Sequence, residues 1–245
     1  MNAFTSKTNS RFDPSQRQDK TKTLVVANSN IRQPSSFSPV ERKMAMRLGV
    51  KRLFDIAASV SALIVLAPFF LAIALFIKLD DGGPVFFRQI RWGLNGRKIV
   101  VFKFRSMRAE DCDPSGIRQT VKGDSRMTGI GAVLRRTNID ELPQLFNVLL
   151  GDMSLVGPRC HAINMRAAGR LYEELVPDYH QRHIMRPGIT GLAQTRGWRG
   201  PTARPLQARA RIASDIYYVQ NFSLLLDLNI LFKTLIIELR GGTGF

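Results

Sequence analysis

Ile56-Ala-Ala-Ser-Val-Ser-Ala-Leu-Ile-Val-Leu-Ala-Pro68-Phe-Phe-Leu-Ala-Ile-Ala-Leu-Phe-Ile77 runs for 22 residues without a formal charge. Such a run is long enough to cross the hydrocarbon core of a bilayer. It starts too far into the chain, and is too long, for a cleaved signal peptide. Pro68 lies just past its middle, where it removes one backbone hydrogen bond and crowds the preceding turn. Basic residues flank both ends: Arg42, Lys43, Arg47, Lys51 and Arg52 before it, and Lys78, Arg88, Arg91, Arg97 and Lys98 after it. The positive-inside rule therefore draws both ends toward the cytoplasm. A single crossing with a proline kink satisfies one end only. A helix that enters the membrane, breaks at Pro68 and returns satisfies both, and the flanks favour this re-entrant form. Each arm would be near ten residues, about 15 Å long or half the core thickness.

Working outward, residues 1–40 are rich in Ser, Thr, Asn, Gln and Pro and read as a disordered tail. Residues 41–82 hold the basic flank and membrane helix, and 83–245 a catalytic domain at the cytosolic face. Pro84-Val-Phe-Phe-Arg-Gln-Ile-Arg and Lys98-Ile-Val-Val-Phe-Lys-Phe-Arg flank Leu94-Asn95-Gly96, which predicts a small β-hairpin. Residues 108–126 are polar and loop-like. Helices are expected over Ile139–Leu150, stopping at Gly151, over Leu171–His183 with an interruption at Pro177, and over Gln207–Tyr218. Arg186-Pro-Gly-Ile-Thr-Gly reads as a turn. Leu224–Leu239 is apolar and periodic but carries Asp227, Asn229 and Lys233, so it reads as an interfacial amphipathic helix. The fold class expected is α+β, mainly helical.

Lys and Arg outnumber Asp and Glu by 36 to 19, a net charge of +17. That balance points to a polyanion: nucleic acid, an anionic membrane surface or a diphosphate substrate. The charges spread along the chain and the aromatic residues are mostly Phe in apolar runs, which argues against nucleic acid. Cys112 and Cys160 are too few for a disulfide framework and suit a reducing compartment.

In Thr137-Asn138-Ile139-Asp140-Glu141-Leu142-Pro143-Gln144 two adjacent carboxylates follow Arg135 and Arg136, with Arg159 in Gly157-Pro158-Arg159. Carboxylates among guanidinium groups suit phosphate chemistry, supplying a nucleophile, a metal ligand and charge clamps. The same letters also fit a helix entry, with Asn138 as N-cap and Glu141 closing a capping box.

These pieces, in this order, resemble the bacterial monotopic phosphoglycosyl transferases. The likeness covers Lys51 to Thr234. It rests on Lys51-Arg-Leu-Phe-Asp55, the Pro-broken apolar run, Gly83-Pro-Val-Phe-Phe, Lys103-Phe-Arg-Ser-Met107 and Leu134 to Gln144. Gly151-Asp-Met-Ser-Leu-Val-Gly-Pro-Arg159, Arg186-Pro-Gly-Ile-Thr-Gly191 and Asp215-Ile-Tyr-Tyr-Val-Gln-Asn-Phe-Ser-Leu complete it. The resemblance implies transfer of a sugar-1-phosphate from a UDP-sugar to a polyprenyl phosphate such as undecaprenyl phosphate, with release of UMP. It implies a re-entrant helix, Mg²⁺, and a cytosolic active site on the bacterial inner membrane among anionic lipids. Self-association into a homodimer is left open.

By the same resemblance Asp140 is the nucleophile and Glu141 its catalytic partner and Mg²⁺ ligand. The macrodipole at the expected helix N-terminus and the neighbouring Arg135 would favour ionised Asp140. Lys103, Arg135, Arg159 and Arg199 correspond to basic positions that serve the phosphates, with Arg105 and Arg136 supporting. Asp215 matches an acidic position, for which a salt bridge to Arg211 four residues earlier is the alternative role. Gly197-Trp198-Arg199-Gly200 resembles members that use glucose, and His161 points the same way. Galactose and acetamido sugars, or a non-catalytic scaffold, are the competing readings.

Three departures stand out. Ala67-Pro68 replaces the usual Ser-Pro at the membrane break, and Cys160 replaces the proline of Gly-Pro-Arg-Pro. The extra N-terminal spans of many glucose-type members have no counterpart here, so the chain looks like the minimal catalytic form. His180, His183, Cys160 and His161 fit no familiar zinc spacing.

Overall fold

A computed structural model describes residues 39–108, 110, 124–200 and 202–240. Most of the expected tail over 1–40, Cys112 and most of the loop over 108–126 lie outside the described residues. From Arg47 onward the chain packs as one unit.

Helix α1 spans Pro39–Asp81, 43 residues with Pro68 inside it. It is the one helix among the described residues long and apolar enough to cross a membrane. Helical structure continues through Pro68, so α1 is a single element of 43 residues rather than two separate ten-residue arms. Proline forfeits a single amide donor, and the surrounding Ala, Leu, Ile and Phe residues carry the helix past it. On both sides of Pro68 the helix touches the rest of the protein. Before it, Lys51 Nζ pairs with Asp227 Oδ2 at 2.6 Å, and Arg52 donates to the Val148 and Leu149 carbonyls at 2.6 and 3.1 Å. Asp55 accepts from Ser154 Oγ at 2.7 Å. After it, Phe70 packs edge-on against Phe104 and Phe146, Ile73 and Ile77 enter a core with Phe104 and Leu134, and Asp81 pairs with Arg105. Between these anchors Ile64 and Val65 are each at least 70% exposed, an apolar surface that suits lipid rather than water.

Strands β1 (Phe86–Trp92) and β2 (Lys98–Phe104) form the expected antiparallel hairpin, with Phe86 opposite Phe104 and Trp92 opposite Lys98. Asn95 and Gly96 have positive φ, the conformation an Asn-Gly pair favours. Helix α2 (Gly129–Arg136) begins at Thr128, whose hydroxyl accepts from Gly131 N. A Cβ on Gly131 would stand 2.0 Å from the Ser106 carbonyl oxygen, so only glycine lets α2 lie against the end of the hairpin. A tight turn over Ile139–Glu141 leads into α3 (Gln144–Leu150), which ends at Gly151 with φ 90.

Arg186-Pro-Gly-Ile-Thr-Gly is more than a turn. Within it β6 (Gly188–Thr190) lies parallel to β3 (Ser154–Val156), joining segments more than thirty residues apart. Cβ atoms on Gly157 or Gly188 would meet backbone at 2.4 and 2.1 Å, so both glycines are needed for this approach. Between them come a two-residue pair, β4 (Arg166–Ala167) with β5 (Arg170–Leu171), the one-turn helix α4 (Tyr172–Leu175) and a 3-10 segment over Tyr179–Ile184. The helical stretch expected over Leu171–His183 is interrupted at Pro177 as expected, with a short helical piece on either side. A one-turn helix α5 (Leu192–Thr195) precedes α6 (Pro205–Gln220) and α7 (Leu224–Leu239). On α7 Asp227 and Ile230 point inward while Leu225, Phe232, Leu235 and Leu239 are exposed. The protein is mainly helical, with small sheets.

Candidate active site

The Asp140–Glu141 pair sits on the turn between α2 and α3. Asn138 adopts the left-handed conformation (φ 55, ψ 12), which asparagine tolerates better than most residues. It makes no helix cap, and Glu141 does not close a capping box. Glu141 instead accepts from Lys103 Nζ on β2 at 2.7 Å and from both terminal nitrogens of Arg159, with Nη1 at 2.9 Å. Tertiary charge pairs outcompete local capping here because they are charge-assisted and two-pronged.

Burial alone would raise the Glu141 pKa. Arg159 and Lys103 outweigh it and hold the carboxyl well below its usual range. Asp140 is 5% exposed and its carboxyl is pushed up to about 6: burial dominates, Lys103 opposes it and Glu141 adds to it. The expected help from a helix macrodipole is missing, since α3 begins only at Gln144 and a three-residue turn has almost no dipole. Among the described residues Asp140 makes no ion pair, so its oxygens are uncommitted. Arg135 donates from Nε to Ser106 Oγ at 2.9 Å and, like Arg159, lowers the Asp140 pKa.

Asp140, Glu141, Lys103, Arg135 and Arg159 are therefore brought together from four segments. Arg199 joins at the rim through Glu238, which it meets at 2.7 Å and which also accepts from Asn138. Arg105 is a structural clamp: its Nε donates to the Pro84 carbonyl at 2.6 Å and it pairs with Asp81. Arg136 is exposed.

Asp215 and His161 belong to a second, deeper cluster. Asp215 pairs with Arg182 Nη2 at 2.7 Å rather than with Arg211. Arg211 is turned instead to the Trp198 and Gly200 carbonyls and to Tyr172 Oη. Burial pushes the Asp215 carboxyl up to about 6 against the pull of Arg182 and Arg211. Arg182 also donates to the Arg159 carbonyl. His161 Nδ1 lies 3.2 Å from Tyr179 Oη, and burial together with Arg182 and Arg211 drives its pKa well below the usual value, so it is neutral. His180 is mostly exposed while His161 is buried, and among the described residues no three His, Cys, Asp or Glu side chains converge as metal ligands.

Sequence reasoning missed Arg182, Arg211 as a loop anchor, Asn138 as a turn-former and Glu238. Of these only Asn138 left a local signal, since asparagine is the non-glycine residue most at ease with positive φ.

The bacterial sugar transferase family matches this chain over residues 46–241, and the chain belongs to that family. It is 68% identical over 200 residues to the exopolysaccharide production protein PSS of Rhizobium leguminosarum bv. phaseoli, covering 82% of this chain and all of that protein. It is 48% identical to the undecaprenyl-phosphate glucose phosphotransferase of Komagataeibacter xylinus, over 80% of this chain and 37% of the relative. It is 47% identical to the UDP-glucose:undecaprenyl-phosphate glucose-1-phosphate transferase of Xanthomonas campestris pv. campestris, over 80% of this chain and 40% of the relative. The chain thus spans the whole Rhizobium protein but about two fifths of the other two.

Proposed function

We propose that this protein transfers glucose-1-phosphate from UDP-glucose to undecaprenyl phosphate, releasing UMP and starting the assembly of an exopolysaccharide. The observation that carries the reading is the uncommitted Asp140 carboxyl, surrounded by Lys103, Arg135 and Arg159. The names of the Komagataeibacter and Xanthomonas relatives and the Gly197-Trp198-Arg199-Gly200 loop support glucose.

Asp140 attacks the phosphorus that bears the sugar. Its bond to the bridging diphosphate oxygen breaks, the electron pair leaves with UMP, and an aspartyl phospho-sugar remains. An oxygen of undecaprenyl phosphate then attacks the same phosphorus and the Asp140 carboxylate departs unchanged. No proton is needed in the first step, so an ionised carboxylate suffices. Lys103, Arg135 and Arg159 neutralise charge on the non-bridging oxygens, and Arg199 receives the diphosphate at the rim.

Mg²⁺ suits this donor set as an ion shared with substrate. Two adjacent carboxylates are what such an ion asks of a protein when phosphates and water supply the remaining oxygens. Glu141 would hold it, giving up one of its cationic partners, and the ion would screen the diphosphate charge.

The acceptor keeps its tail in the bilayer, so the site must work at the membrane surface. Two contacts support a bend in the continuous helix α1 around Pro68, which would return it to the cytoplasmic face. A straight helix would separate Arg52 and Phe70 by about 27 Å, yet both touch the single short helix α3. The exposed apolar face of α7 and the +17 charge suit a seat on anionic inner-membrane lipid.

The test is UMP release by the purified full chain with Mg²⁺, undecaprenyl phosphate and UDP-glucose. Lipid-dependent release, lost in Asp140→Asn, is the expected result. Folded protein that is silent with every UDP-sugar would overturn the reading.

A further inference from the structure

We propose that Glu238, in the last turn of α7, is a positioning residue that brackets the substrate loop to the nucleophile turn; this rests on the transferase reading above. One carboxylate serves two donors. Oε1 accepts from Arg199 Nη1 at 2.7 Å, and Oε2 accepts from Asn138 Nδ2 at 2.9 Å. These partners lie 39 and 100 residues away in sequence, so three separate elements meet on a single side chain.

The placement runs against helix physics. A carboxylate near a helix C-terminus faces the negative end of the macrodipole, where a base would be favoured. Contact with a guanidinium and an amide offsets that penalty, which gives Glu238 a reason to be acidic that its own helix does not. Its contact with Asn138 steadies the left-handed residue two positions before Asp140. Its contact with Arg199 turns that guanidinium toward the same turn. The pair is only partly buried, at 15% and 28% exposure, so an arriving diphosphate can share Arg199 without dismantling a buried pair. Glu238 thus acts on substrate binding through Arg199 and on the nucleophile through Asn138.

The experiment compares wild type, Glu238→Gln, Glu238→Ala, Arg199→Gln and the double variant Arg199→Gln/Glu238→Gln, as full chains in nanodiscs. Glu238→Gln keeps an acceptor for Asn138 but loses the charge pair. It should raise KM for UDP-glucose about five- to tenfold and hold kcat within about twofold. Glu238→Ala loses both arms and should lower kcat as well. In the Arg199→Gln background Glu238→Gln should add nothing further to KM. Hydrogen exchange on the same proteins should speed up in Glu238→Ala over both 137–141 and 197–200. An unchanged KM in Glu238→Gln, additive KM effects in the double variant, or exchange that rises only within α7 would each overturn the proposal. A wild type that turns over no UDP-sugar would sink the transferase reading, and the exchange pattern would still decide for or against Glu238.

Discussion

Two carboxylate clusters lie on either side of the Arg159 backbone, and they use the same chemistry to opposite ends. In front, Glu141 takes up Lys103 and Arg159 while Asp140 beside it makes no ion pair among the described residues. Behind, Asp215 is 1% exposed and ion-paired with Arg182, which in turn donates to the Arg159 carbonyl. Burial pushes both aspartates up to about 6. A shifted pKa therefore does not separate nucleophile from strut. Commitment does: Asp140 has oxygens to offer an electrophile, whereas Asp215 spends its charge on the neighbouring arginine.

The largest expected effect breaks the front cluster alone. Asp140→Asn should lower turnover by about a thousandfold or more while leaving the melting temperature at pH 7 unchanged or raised, because it removes a buried carboxylate with no ion pair. Asp215→Ala should do the reverse. It leaves the buried Arg182 without its carboxylate partner and should cost on the order of 3 kcal/mol of stability, read by thermal or denaturant unfolding. If Asp215→Ala keeps its stability but loses all turnover, the distinction between the clusters is wrong.

Smaller still, Arg159→Gln should lower kcat about a hundredfold. It should also move the Glu141 pKa upward, since Arg159 is the chief cation holding it down. The pH profile sharpens the comparison further. The nucleophile must be ionised, so kcat/KM should rise with pH through an apparent pKa of about 6. Stability runs the other way. Asp140 and Asp215 bind their protons more tightly folded than unfolded, so their contribution is complete below about pH 4 and is lost as pH rises toward 6. Glu141, held low, contributes above its ordinary pKa of 4.5 and loses that contribution as pH falls. Asp140→Asn should flatten the loss between pH 4 and 6 without abolishing it, because Asp215 remains. A kcat/KM flat to pH 4.5 would remove burial from the account of Asp140.

How much was legible beforehand divides along sequence distance. The hairpin, the stop at Gly151 and the limits of α7 follow from Asn-Gly, a terminal glycine and a Ser223 cap, all local signals. The Asp140–Glu141 pair with Arg135 and Arg159 was likewise readable as a charge pattern. What escaped depends on partners far along the chain. Nothing near Glu141 announces that Lys103, 38 residues earlier, will outbid Asn138 for it. The parallel pairing of Ser154–Val156 with Gly188–Thr190 needs two glycines brought into backbone contact, and each alone reads as a turn. Asp215 has Arg211 one helical turn away and still pairs with Arg182, because Arg211 is drawn off to the carbonyls of the 198–200 loop.

The most direct test of the central claim is intact-protein and peptide mass spectrometry after exposure to UDP-glucose without lipid acceptor. The account predicts one hexose phosphate on the peptide carrying Asp140, absent in Asp140→Asn and discharged when undecaprenyl phosphate is added. Unmodified protein that still releases UMP once lipid is present would mean direct displacement, and Asp140 would not be the nucleophile.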